Sequence, residues 1–168
     1  MRIRTGGIKV SPPLAQLDLA RGDPPADRLA TLVAGLAAER INLTFLTRSG
    51  PGAATVASLC VAEEDRARAE EVARGLPGLE SRLSVIAPVV AVSVFPHGAS
   101  AELLGALVRT LTNRGLSPLG LATSLSALTF TLKASHLARA LAALDELLEL
   151  PENHAPLRWE MRVTQEPA

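Results

Sequence analysis

The sequence predicts an α+β protein made of two ferredoxin-like (βαββαβ) units in tandem, packed side by side. Three observations predict it. From Val89 to Leu148 the apolar periods run strand, helix, strand, strand, helix, a ferredoxin-like unit short of one strand. From Leu14 to Leu76 the same order occurs at an offset of 75 residues. A strand-like segment at 157–163 offers a candidate for the missing strand.

Gly6-Gly7 and Pro12-Pro13 bracket Ile8-Lys9-Val10, which reads as a short strand. Ala15, Leu17 and Leu19 then alternate with Gln16 and Asp18, the period of a strand. Gly22 permits a tight turn, Asp23 caps a helix and Pro24 suits its first position. The helix is expected to run to about Glu39 with Leu29, Leu32, Val33 and Leu36 inward. Ile41, Leu43 and Phe45 restart a period of two, which ends at a hairpin loop, Arg48-Ser49-Gly50-Pro51-Gly52. Ala53 to Ala62 reads as a strand, and Glu63 to Arg74 as a charged helix with a thin apolar side of Ala69, Val72, Ala73 and Leu76. Pro77-Gly78 stops it, and Leu83 to Ala87 forms one more strand.

The second unit is cleaner. VVAVSVF is a strand that ends at Pro96-His97-Gly98. Leu103, Leu104, Leu107, Val108 and Leu111 share one helical face. After LSPLGLATS, the residues Leu128, Phe130 and Leu132 face one way, with Ala127, Thr129 and Thr131 opposite. A last helix, about Ser135 to Leu148, carries Leu137, Leu141, Leu144 and Leu148 in one stripe. In the tail, Leu157, Trp159, Met161 and Val163 alternate with charged residues, as in an edge strand.

Laid over one another, the halves match Leu17 to Val92, Leu19 to Val94, Leu29 to Leu104, Leu32 to Leu107, Val33 to Val108 and Leu36 to Leu111. Ile41 and Leu46 fall on Leu116 and Leu121, and only Gly50-Pro51-Gly52-Ala53 is extra in the first half. Two copies of so long a period are duplicated domains, not a solenoid. The expected units are 14–87 and 88–150, the second completed by 157–163 or, as the family resemblance below implies, by 8–10.

A chain of 168 residues with 48% hydrophobic content can bury a real core. The 17 basic residues are balanced by 17 acidic ones, so there is no electrostatic footprint for nucleic acid or an anionic membrane. Three Phe, one Trp and no Tyr leave almost no surface on which bases stack. The lone Cys60 has no disulfide partner and reads as a buried structural thiol. No signal peptide or membrane span is visible, so a cytoplasmic protein is expected.

Nothing converges on catalysis. His97, His136 and His154 make no helical metal pair, and Arg48-Ser49-Gly50-Pro51-Gly52 lies between strands, where a phosphate loop would lead into a helix. The expectation is a protein without enzymatic activity, cofactor or metal. The two strand-to-helix loops carry the remaining chemistry, because a helix N-terminus is a natural receptor for a carboxylate. In the second unit Gly98, Ala99 and Ser100 let a ligand approach the backbone. In the first, Asp23 opposes an anion and Pro24-Pro25 remove two donors, so that loop is the poorer site.

VAVSVFPHGASAELLGALVRTLTNRG, with Gly115-Leu116-Ser117-Pro118 and Leu121-Ala122-Thr123-Ser124-Leu125 after it, resembles the last ACT domain in the regulatory half of an aspartate kinase. The likeness covers about residues 8 to 150; it departs at Leu125, where the family pattern has glutamate, and at Ser117, where it has asparagine. It implies two tandem ACT domains that bind a small amino acid between the first loop and the second strand of a neighbouring unit. The contacts so implied are His97, Gly98, Ala99, Ser100, Ser117, Pro118, Thr123 and Ser124, with Gly22, Asp23, Asn42 and Thr44 in the first unit. It also implies a homodimer and a free-standing regulator that signals by oligomerisation or to a metabolic enzyme. The alternative is a ligand-free interaction module with a decayed effector site.

Overall fold

The computed structural model describes residues 2–20, 27–49, 56–77, 79, 82–96 and 100–152. Along the chain these form β1 (Ile3–Arg4), β2 (Gly7–Val10), β3 (Leu14–Leu19), α1 (Asp27–Ala38), β4 (Phe45–Ser49) and β5 (Val56–Ala62). A 3-10 turn (Glu63–Asp65) leads into α2 (Arg66–Arg74), and β6 (Leu83–Phe95) follows. Then come α3 (Ala101–Asn113), β7 (Gly120–Thr123), β8 (Leu128–Lys133), a second 3-10 turn (Ala134–His136), α4 (Leu137–Leu147) and β9 (Leu148–Glu149).

A seven-stranded sheet runs β4-β5-β3-β6-β8-β7, with β2 also on β6. Its spine is the antiparallel pairing of β6 with the segment that holds both β2 and β3. Gly7 to Val10 lie against Phe95 to Val92, Ser11 N donates to Ala91 O at 2.9 Å, and β3 takes over from Leu14 against Val89 to Leu19 against Leu83. Leu14 and Val89 are counterparts at the offset of 75, so the halves meet about an approximate two-fold at that pair. The terminal segment 8–10 thus joins the sheet, while 157–163 lies outside the described residues.

Two sequence expectations need correction here. Leu83–Ala87 and Val89–Phe95 are one continuous strand, in which Pro88 accompanies a register shift between Leu14 and Gln16. The shift gives β6 one extra residue, a bulge, and a bulge is where a strand tolerates proline. The bulge also exchanges the faces. Leu83, Val85 and Ala87 pack in the first core, whereas Val90, Val92 and Val94 pack in the second. Likewise the strand expected from Ile41 starts only at Phe45, because Ile41 belongs to the end of α1.

That helix end repeats. After α1, Arg40 N donates to Ala37 O and Ile41 N to Leu36 O; after α3, Gly115 N donates to Thr112 O and Leu116 N to Leu111 O. Both are Schellman closures with a left-handed residue, Gly115 at φ 66° and Arg40 at φ 56°. The hydrogen bonds entering β4 and β7 also repeat, Thr44 N to Cys60 O and Leu119 N to Thr131 O.

The helices cover two separate apolar cores. Leu17, Leu32, Leu36, Leu59 and Ala69 sit in one; Val92, Leu107, Leu111, Phe130 and Leu144 sit in the other. Leu32 and Leu107 are both fully buried. On the opposite face, Leu14, Phe45, Cys60, Val89 and Ala91 form a third cluster between the halves. The outer strands approach across it: a Cβ on Gly120 would lie 3.0 Å from the Phe45 ring, its own counterpart, so a side chain there would force the ring aside. Beside them Gln16 is wholly buried, and its Oε1 accepts from Thr131 Oγ1 at 2.7 Å and more weakly from Cys60 Sγ at 3.8 Å. Gln16 Nε2 donates one of its two N–H groups to Asp18 Oδ1 at 2.8 Å.

Two outcomes are expected. Arg40→Gly relieves a left-handed non-glycine residue and raises stability by about 0.5–1 kcal/mol, whereas Gly115→Ala lowers it by about 1 kcal/mol; urea unfolding measures both. Burial, and secondarily Asp18, pushes the Cys60 thiol up from 9.0 to about 12. Below pH 9 both folded and unfolded thiols are protonated; between 9 and 12 only the unfolded one ionises, so stability falls as pH rises through that window. The slope approaches roughly 1.4 kcal/mol per pH unit and vanishes in Cys60→Ala, as urea unfolding at successive pH values tests.

Candidate functional site

The end of β6 and the start of α3 frame the second-unit loop. Ser100 caps the helix, its Oγ accepting from Leu103 N at 3.1 Å, while its carbonyl takes Leu104 N at 3.1 Å. In the first turn this leaves the N–H groups of Ala101 and Glu102 without an intrahelical acceptor. Glu102 places an acid in the same turn.

Thr123 shares this end of the sheet, because β7 is antiparallel to β8 as β6 is, and the registers put Thr123 and Val94 level with Leu128. Ser124 follows it in a tight turn, where its Oγ accepts from Ala127 N at 3.0 Å and its N donates to Ala127 O at 2.8 Å. Leu125 at the tip is 91% exposed. Ser117 and Pro118 precede β7 and so lie at its other end, past a 13-residue helix that spans about 20 Å. Asn42 and Thr44 are likewise at the start of β4 and exposed. Among the described residues the predicted contacts of the second unit fall in two groups. Ser100, Thr123 and Ser124 share one end, while Ser117 and Pro118 sit at the other. Gly22, Asp23, His97, Gly98 and Ala99 lie outside the described residues.

The first half has a dense ion-pair surface on α2. Glu70 accepts from Arg66 at 2.8 Å and Arg74 at 2.9 Å, and Asp65 pairs with Arg68 at 2.9 Å. The hydrogen bond from Arg66 holds the Glu70 carboxyl below its ordinary range, and the same pairing raises Arg66. These are exposed i,i+3 and i,i+4 pairs on one helix, which steady it modestly. Among the described residues no cluster of three or more His, Cys, Asp or Glu can hold a metal, and no helix is long and apolar enough to cross a membrane. The sequence reading placed no ligand contact beside Ala73, where the structure leaves a cavity. The signal for it lay in the repeat, since Ala73 stands where Leu144 does.

No family model matches the chain, and no curated protein matches it either. Solved structures do. The ligand-free regulatory subunit of aspartate kinase from Thermus thermophilus superposes with a TM-score of 0.75 at 19% identity, covering 86% of this chain and 99% of that one. The regulatory subunit from Thermus flavus gives 0.73 at 17%, covering 84% and 97%. Aspartokinase III from E. coli, in complex with lysine and aspartate, gives 0.65 at 16% and is covered over 33% of its length by 86% of this chain. At such identities the likeness speaks for the fold, and it agrees with the resemblance carried by the second-unit motifs. The chain has the fold of the regulatory region of an aspartate kinase.

Proposed function

We propose that this is a non-catalytic regulatory protein of two tandem ferredoxin-like ACT units, 14–87 and 88–150, the second completed by strand 8–10. It binds a small amino acid and passes the signal through a cytoplasmic homodimer or to a metabolic enzyme. The observation that carries the proposal is the start of α3. Ser100 satisfies the N–H of Leu103 alone, and the two preceding N–H groups point out of the helix where a carboxylate is best received. His97, Gly98, Ala99 and Ser100 then hold the ligand, with Thr123 and Ser124 at the same end of the sheet. Gly22 and Asp23 form the poorer counterpart loop. Ser117 and Pro118 precede β7, a helix length from Ser100, and Asn42 and Thr44 precede β4, so these residues serve a ligand held by a second copy. The lysine and aspartate in the E. coli aspartokinase III complex support amino acids as the ligand class.

Leu125 favours a second reading. It replaces the glutamate of the family pattern with an exposed leucine on a hydrogen-bonded turn, a surface suited to a protein partner. Titration calorimetry with each amino acid separates the two. Under the leading reading one amino acid binds, Gly98→Val loses that binding, and Asp23→Ala keeps it. Loss with Asp23→Ala alone moves the site to the first loop, and heat from no amino acid leaves the interaction module.

A further inference from the structure

The halves differ most on the helix side of their fourth strands. In α2, Glu70 and Ala73 occupy the positions that Leu141 and Leu144 occupy in α4, once the four extra hairpin residues are allowed for. The facing strands correspond too: Leu83 pairs with Leu19 as Ile8 pairs with Val94, and Val85 pairs with Leu17 as Val10 pairs with Val92. In the second half Leu141 and Leu144 are buried in one core with Ile8. In the first half this side carries a half-open pocket of about 410 Å³ lined, among the described residues, by Glu70, Ala73, Arg74, Leu79, Leu83 and Val85, with Ala73 and Leu79 largely covered at its floor.

Its walls are aliphatic except on α2, where Glu70 and Arg74 are 2.9 Å apart. Arg66 shares the same carboxylate at 2.8 Å and also meets Glu63 at 3.9 Å, so Arg74 has only a shared acid beside it. The size, and a lining that sets an aliphatic wall against the Glu70–Arg74 pair, suit a small ligand. The group that fills the equivalent space in the other half is a leucine side chain.

We propose that this cavity binds a small branched aliphatic carboxylic acid, at a site separate from the loop before α3. The branched body lies on Ala73, Leu79, Leu83 and Val85, and the carboxylate pairs with Arg74. A ligand that also has an α-ammonium gives it to Glu70; a 2-oxo acid of the same skeleton has nothing to give.

The test uses the full chain with labelled Leu and Val methyl groups, titrated with L-leucine, with 4-methyl-2-oxopentanoate and with acetate. Methyl resonances of Leu79, Leu83 and Val85 should shift saturably with at least one branched probe and not with acetate. Arg74→Gln should weaken that binding about tenfold. Ala73→Leu, which copies Leu144, should abolish it, and Glu70→Leu, which copies Leu141, serves if the first variant does not fold. Glu70→Gln should weaken leucine alone and so tells the two sources apart. No saturable shift at about 10 mM, where a millimolar affinity would fill most of the site, overturns the proposal. Unchanged binding in a folded filling variant does the same. Shifts confined to the start of α3 would overturn it while leaving the loop reading intact.

Discussion

Everything in this fold hangs on the antiparallel pairing of β6 with the residues that run from Gly7 to Leu19. Each partner is a single pass of chain that serves both halves. The first part of β6 is the fourth strand of the N-terminal sheet, and β2 is the fourth strand of the C-terminal one. The two helical cores are otherwise separate, so their relative placement is set by these ladders and by the cluster around Leu14 and Val89. The pairing is also highly non-local. Its cost in chain entropy is met only when both halves have collapsed far enough to meet.

The polar centre against this spine shows how an approximate two-fold is broken. Cys60 and Thr131 are counterparts, and the two-fold alone would put like beside like. Gln16 stands where the other half has Ala91, and its single amide oxygen serves both. One asymmetric residue thereby satisfies a symmetric pair of donors in a site closed to water. The Asp18 carboxylate takes an N–H of the same amide, so both ends of the buried group are engaged.

Much of the fold was legible because it rests on periodicity. The leucine stripes of α3 and α4, the alternation in β8 and the offset between the halves all come from which side chains must leave water. What escaped was set by the backbone. Pro88 reads as a strand breaker, yet a bulge absorbs it, and nothing local distinguishes the two outcomes. Ile41 looks like the start of a strand because it is apolar and in phase with Phe45; its burial comes instead from the helix closure at Arg40, where sequence offers no glycine to announce it. The order of β6, α3, β7 and β8 was legible. That Ser117 and Pro118 lie a helix length from Ser100 was not, because motif order along the chain says nothing about which end of the sheet each motif reaches.

The continuous β6 has a consequence for what a single half is. Divided between α2 and β6, either repeat would keep its two helices and three strands and present a fourth, β2 or the first part of β6, that reaches into empty space. It would also offer one vacant edge of matching register. Two copies of such a half would close each other by mutual exchange, about the same axis that passes here between Leu14 and Val89. In topological terms the chain is a strand-exchanged dimer written into one polypeptide. The repeat in its sequence thus has the arrangement of two identical molecules that exchange a strand about a two-fold axis.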